Sequence, residues 1–236
     1  MFKRSMLFYK RARIVASLMA NKWFSRRKPV IVYLFPTNRC NLRCIYCCVD
    51  HSVREREFTK DEIHKLIDEL ADMGTRMIAL MGGEPTIIDG IGEVIDHIKR
   101  RGMLCDMVTN GQLIEEKIDE LKGLDSMTVS VDGPEEANDK NRGKGSYKKL
   151  VKGIKLAQKN GIAVRVNAVL VKNTLHTIKE HLVFARDNNL WMTFGIPLEK
   201  ELEGIILSPE EMVEAYKEIK KLKDEGYPVL ASHRSL

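Results

Sequence analysis

The sequence predicts an α/β fold built on a parallel sheet, and three observations carry that expectation. Short apolar runs alternate with segments of helical periodicity six times between residues 30 and 196. Gly74, Gly102 and Gly161 stand where helical patterns stop. With 236 residues, 44% hydrophobic and 31% charged, the chain is long and apolar enough to bury such a sheet, which excludes collagenous, mucin-like and wholly disordered readings.

The first element is an arm. Residues 1–28 hold nine of the 39 Lys and Arg and no acid, which leaves 30 basic against 33 acidic residues in the remainder. The body therefore gives no electrostatic reason to expect nucleic acid. In the arm the cations interleave with Ile14, Val15, Leu18, Met19, Trp23 and Phe24. Such a basic amphipathic helix either lies on an anionic membrane surface or packs across the open bottom or side of the fold. No stretch approaches the roughly 20 apolar residues of a membrane span, and no small-x-small cleavage site follows Ala20. The expected location is cytoplasmic, peripheral at the membrane.

Val30–Phe35 is a continuous apolar run, as in a parallel strand buried on both faces. Thr59-x-x-Glu62 is a capping box that opens a helix with Ile63, Leu66, Ile67 and Leu70 on one face. A second strand follows around 76–81, then a helix marked by Ile91, Val94, Ile95 and Ile98. Met103–Val108 is the third strand, Ile114–Leu121 a helix, and Ser126–Val131 the fourth strand. Tyr147–Asn160 reads as a helix, Ile162–Val171 as a strand, and Leu175, Ile178, Leu182 and Ala185 line another helix before a sixth strand at Trp191–Ile196. Ser208, Pro209 and Glu211 open a last helix that Gly226 ends, and Tyr227–Leu230 starts an extended segment. No GxGxxG follows the first strand. Periodicity alone leaves an open partial barrel and a doubly wound sheet both standing.

Chemistry concentrates in one loop. Four of five cysteines, Cys40, Cys44, Cys47 and Cys48, fall within nine residues, a poor disulfide framework that suits metal binding in a reducing compartment. Cys40-x3-Cys44-x2-Cys47 follows the first strand, where parallel α/β folds bind ligands. Thiolates suit an iron–sulfur cluster, and three of them would leave one iron open. Zinc could take the same three with His51 or Cys48, though the second C-x2-C pair of a zinc ribbon is missing. A closed electron-carrier cluster would need Cys48 or Cys105, and Cys105 reads as a small core residue. The six histidines show no ligand spacing.

This loop, with Tyr46 before its last cysteine, resembles the signature of the radical S-adenosylmethionine (radical SAM) enzymes. Gly82-Gly83-Glu84-Pro85 follows the second strand, Thr109-Asn110-Gly111 the third, and Ser130-Val131-Asp132-Gly133 ends the fourth. Asn141-Arg142-Gly143-x-Gly145-Ser146-Tyr147 and Val166-Asn167-x-Val169 match the same branch, near the peptide-maturing (SPASM-type) enzymes, the molybdenum-cofactor cyclase and the hopanoid adenosyl transferase. The resemblance covers about residues 30–197. It implies a partial (β/α)6 TIM-like barrel. It implies a [4Fe–4S] cluster on Cys40, Cys44 and Cys47, with SAM chelating the fourth iron. Glu84, with the backbone of Gly82 and Gly83, would receive the SAM amino group, the glycines allowing close approach. Tyr46 would pack near adenine, with its backbone bonding the base, and Asn110, Ser130 and Asn167 could reach the ribose or carboxylate. Arg142 would pair with the carboxylate or lie on the surface. One electron from a low-potential donor of flavodoxin or ferredoxin type would release a 5′-deoxyadenosyl radical to act on substrate.

The implied organisation is an arm at 1–28, a core at 29–200 and a C-terminal region at 201–236. The substrate class stays open between a peptide or protein and a lipid or isoprenoid, the latter favoured by the arm. The contrasting reading is a non-catalytic Fe–S or zinc binding module, which would have no use for Gly82–Pro85.

Overall fold

Six strands pair in parallel in the order in which the chain makes them: β1 (Ile31–Leu34), β2 (Met77–Leu80), β3 (Leu104–Thr109), β4 (Ser126–Ser130), β5 (Ala163–Val169) and β6 (Met192–Gly195). The computed structural model describes residues 2–24, 28–49, 57–197, 202 and 204–231, with side chains from Tyr9 onward. Strand order never reverses, so the switch point of a doubly wound sheet is absent. The sheet is a half-barrel, as the resemblance implied.

Helices fill every crossover: α2 (Lys60–Met73), α3 (Ile91–Arg100), α4 (Ile114–Leu121), α5 (Glu135–Arg142), α6 (Ser146–Lys159) and α7 (Ile178–Asp187). The Thr59 and Glu62 capping box opens α2, and Gly74 closes it in the left-handed conformation at φ 97°. Buried Ile63, Ile67 and Leu70 then face the sheet. The core lies between strands and helices, with Ile78, Leu80, Met107, Val129 and Val166 fully enclosed. The other face of the sheet is the inner wall of the half-barrel, and from β3 to β6 it is largely polar. Asp106, Thr128, Ser130, Arg165, Asn167 and Thr193 alternate with the core residues along these strands.

Two expectations need correction. The first strand is not buried on both faces: Ile31, Tyr33 and Phe35 alternate as exposed, Tyr33 at 63%. The cause is that Ile31 and Tyr33 point to the inner face, away from the helix-side core of Val32 and Leu34, and that face is open at this edge of the sheet among the described residues. The helix α5 was not foreseen, because Glu135–Arg142 has no apolar stripe. Its work is polar. Asp139 accepts hydrogen bonds from Tyr147 N (2.9 Å) and Ser146 Oγ (3.1 Å), capping α6.

The arm is a helix, α1 (Phe2–Trp23), placed at the amino-terminal ends of the strands. Lys10 Nζ donates to Met103 O (3.4 Å), just before β3, and Arg76 Nε, just before β2, donates to Ser17 Oγ (3.3 Å). Beyond β6, α8 (Pro209–Asp224) joins the same core through Ala215, Ile219 and Leu222. The extended segment at Tyr227–Leu230 pairs with Met192.

Candidate functional site

The loop after β1 is laid directly on the glycines after β2. Gly83 N donates to Thr37 O (2.9 Å) and Glu84 N to Arg39 O (2.8 Å). A Cβ on Gly82 would stand 2.4 Å from Thr37 O, and one on Gly83 would stand 2.1 Å from Arg39 O. Gly82 also holds φ at 124°. The cysteine loop itself thus makes a close approach that calls for both glycines.

Cys40, Cys44 and Cys47 are half-buried on this loop, Cys48 is exposed, and Cys105 is buried on β3. Burial pushes the Cys40 thiol up. It pushes Cys44 up to about 11 against the pull of the Arg142 guanidinium. Donors aim at both sulfurs. Leu42 N and Asn110 Nδ2 lie 3.4 and 3.7 Å from Cys40 Sγ, and Arg142 Nη1 lies 3.9 Å from Cys44 Sγ. Hydrogen bonds and positive charge at sulfur stabilise ligated thiolates and tune a cluster. Among the described residues no three His, Cys, Asp or Glu side chains converge as around a single ion. A cluster sets one thiolate on each iron and asks for spacing, so this loop suits it. His51 lies outside the described residues.

Glu84 differs from its expected role. Its carboxylate is fully enclosed and accepts from Thr86 N (3.1 Å), Thr86 Oγ1 (2.6 Å), Thr109 Oγ1 (2.7 Å) and Asn110 N (2.7 Å). Burial raises its pKa while these four hydrogen bonds oppose the rise. It ties the loop after β2 to the end of β3, and its side chain has no surface toward the mouth.

Tyr46 is likewise engaged inside the protein. Its hydroxyl donates to Asp132 Oδ2 and accepts from Arg142 Nη2, and the guanidinium carbon stands 5.6 Å from its ring centroid. That side chain anchors the loop. Arg142 is neither on the surface nor free for a carboxylate: it is 5% exposed, with Nε 2.8 Å from Asp132 Oδ2 and Nη2 3.1 Å from Oδ1. Val169 N also donates to Asp132 (3.2 Å), and Ile45 N donates to Asn141 O (3.0 Å). The sequence marked Asp132 only as part of the Ser130–Gly133 motif, with no role of its own. The signal available was α5 itself, polar all round yet bounded by two opposite charges ten positions apart.

Three expected residues remain at strand ends. Asn110 Nδ2 bonds Asn41 Oδ1 (2.7 Å) beside Cys40. Ser130 and Asn167 are cross-strand partners on the inner wall, and Asn167 Oδ1 accepts from Thr193 Oγ1 (2.8 Å).

A half-barrel of six parallel strands with a three-cysteine loop at the carboxyl end of β1 defines a class of metal-dependent radical proteins. The model of the radical SAM superfamily matches residues 34–185, and the chain belongs to that superfamily. A [4Fe–4S] cluster and SAM are the cofactors characteristic of these enzymes. The chain is 31% identical over 224 residues to the Fe-coproporphyrin III synthase of Methanosarcina barkeri, covering 86% of this chain and 54% of that protein. It is 29% identical to the GTP 3′,8-cyclase of Clostridium perfringens, covering 80% and 62%. The structure of anSMEcpe with bound AdoMet superposes with a TM-score of 0.74 at 20% identity, covering 85% of this chain and 63% of that one, and shows the shared fold. The chain spans about half the length of the curated relatives it matches.

Proposed function

We propose that this chain is a SAM-dependent radical enzyme acting on a polar substrate. The observation that carries the reading is the group of half-buried thiols Cys40, Cys44 and Cys47 at the barrel mouth, with N–H donors directed at two of the sulfurs. These three cysteines would hold a [4Fe–4S] cluster. When bound, the reduced cluster and SAM supply a 5′-deoxyadenosyl radical. Asn110 and Arg142 would hold the sulfurs of Cys40 and Cys44 in an electropositive setting. Gly82 and Gly83 keep the loop pressed on β2, and Glu84 fixes Asn110 through its backbone. Ser130 and Asn167, with the rest of the polar inner wall, would face SAM and substrate. The working unit in this reading is residues 29–200, fed by a donor of flavodoxin or ferredoxin type.

The inner wall supports a peptide or protein substrate over a lipid or isoprenoid. Ser130, Asn167 and Thr193 offer polar groups on this wall that suit a polar substrate, while Asp106 and Arg165 are already paired with each other beside α1. The relative named GTP 3′,8-cyclase is by its name also an enzyme of a polar substrate. In location the reading is cytoplasmic, with α1 at an anionic membrane. Anaerobic reconstitution followed by dithionite reduction in the presence of SAM tests the activity. Formation of methionine and 5′-deoxyadenosine is expected from the wild-type chain, and none from the chain with all three cysteines changed to Ala. A cluster-loaded chain that neither binds nor cleaves SAM would leave the binding-module reading in its place.

A further inference from the structure

The arm does not choose between packing on the barrel and meeting a membrane; its two faces divide those tasks. Lys10, Arg13, Ile14, Ser17, Ala20 and Asn21 recur at helical spacing and are the less exposed positions of α1. This face is the one that reaches the body, through Lys10 to Met103 O and Ser17 to Arg76, while Asn21 Nδ2 donates to Lys28 O (2.7 Å). The opposite face carries Val15, Leu18, Met19 and Trp23, exposed by 57, 47, 61 and 83%. Lys22 is exposed on that same face, while Arg11, on its flank, lines a cavity with Met77, Asp106 and Asp125 of the body. The usual arrangement of an amphipathic surface helix is thereby inverted, with polar groups turned to the protein and apolar groups to solvent.

We infer that the outward face of α1, Val15, Leu18, Met19 and Trp23 with Lys22 beside them, seats the enzyme on an anionic lipid surface. The charge of the segment names the partner. Residues 1–28 hold nine cations and no acid, so the segment's net charge attracts negative headgroups even with Lys10 and Arg13 turned to the body, while the outward apolar side chains match the acyl boundary beneath them. A 22-residue helix of about 33 Å can lie along an interface, and none of the helices among the described residues is long and apolar enough to cross one.

The geometry adds an orientation. The helix crosses the amino-terminal ends of the strands, and the cysteine loop sits at their carboxyl ends. Strands of four to seven residues separate the two by about 13–23 Å. Seated this way, the mouth opens away from the bilayer and takes substrate from the aqueous side. The basic arm thus ceases to argue for a lipid substrate. The inference extends the proposed function without depending on SAM cleavage.

The test uses the full, cluster-loaded chain with Trp191→Phe, so that Trp23 alone reports. Vesicles are phosphatidylcholine with and without phosphatidylglycerol. Sedimentation with the anionic vesicles alone, release as salt rises, and a blue shift of Trp23 emission are expected. Val15→Glu with Met19→Glu should abolish all three without lowering the melting temperature, since both side chains are mostly exposed. Alkylation of the exposed Cys48 at the mouth, mapped by mass, should proceed at the same rate on and off vesicles. The inference is overturned if the chain stays in solution with anionic vesicles at low salt or sediments equally with neutral ones. It is also overturned if the double variant sediments as wild type does. A wild-type dimer that the double variant splits, without vesicle binding, would assign the face to a second copy. Protection of Cys48 on vesicles would overturn the orientation.

Discussion

Arg142 and Asp132 form an ion pair with almost no access to water, so each needs the other. Removing one partner of such a pair costs about 3–5 kcal/mol, because the survivor is left charged in a low-dielectric interior. Arg142→Met is expected to lower stability by that amount in chemical denaturation, and adding Asp132→Leu to recover part of it. A double variant no better than the single would show that the pair is not the unit that matters. Glu84 is the second enclosed charge. Glu84→Gln turns an acceptor into a donor facing Thr and backbone N–H donors. The expected loss is about 1–3 kcal/mol, read as a lower melting temperature. A side chain free to meet SAM would instead lower SAM affinity and leave the melting temperature alone. His181 on α7 is 1% exposed, with Nδ1 bonded to Thr177 O at 2.5 Å, and burial lowers its pKa from 6.5. The unfolded chain therefore binds a proton below about pH 6.5 that the folded chain refuses. Stability is expected to fall as pH drops from 6.5 toward the folded value, and His181→Gln to flatten that slope. An unchanged slope would place the acid sensitivity elsewhere, His64 being the other histidine shifted downward.

At the scale of elements, legibility followed chemistry. Helices with an apolar stripe and a cap, such as α2 and α8, could be read from Thr59, Glu62, Ser208 and Glu211 because each signal names a hydrogen bond that forms. Helix α5 could not, since it has no apolar stripe and is held by side-chain bonds to groups just outside it, Asp132 and Ser146 among them. The cysteine positions were legible from spacing. The roles of Gly82, Gly83 and Glu84 were not, because spacing does not reveal which backbone lies 2 to 3 Å away. That contact carries its own test. Gly83→Ala would drive a Cβ into Arg39 O, so the loop must shift, and iron uptake on reconstitution is expected to fall. Gly195→Ala, which meets nothing within 4 Å, is the control and should load iron normally. Equal loading of both would disconnect the glycines from the cysteine loop.

For the whole molecule, the β/α alternation gave the layers. The sequential order β1 to β6 and the polar wall from β3 to β6 came only with pairing, since alternation along a strand shows two faces without saying which one meets helices. The result is a scaffold with separated ends: thiols, Asp132 and Arg142 at the mouth, the basic helix at the base. The central claim is that Cys40, Cys44 and Cys47 alone hold the metal centre of a SAM-cleaving enzyme. Iron content after anaerobic reconstitution, measured on single Ala variants of all five cysteines, tests it most directly. About four irons per chain are expected for wild type, Cys48→Ala and Cys105→Ala, with loss on changing Cys40, Cys44 or Cys47. Loss of the iron on changing Cys48 or the buried Cys105 would contradict the three-ligand site, and with it the open iron on which the proposed chemistry depends.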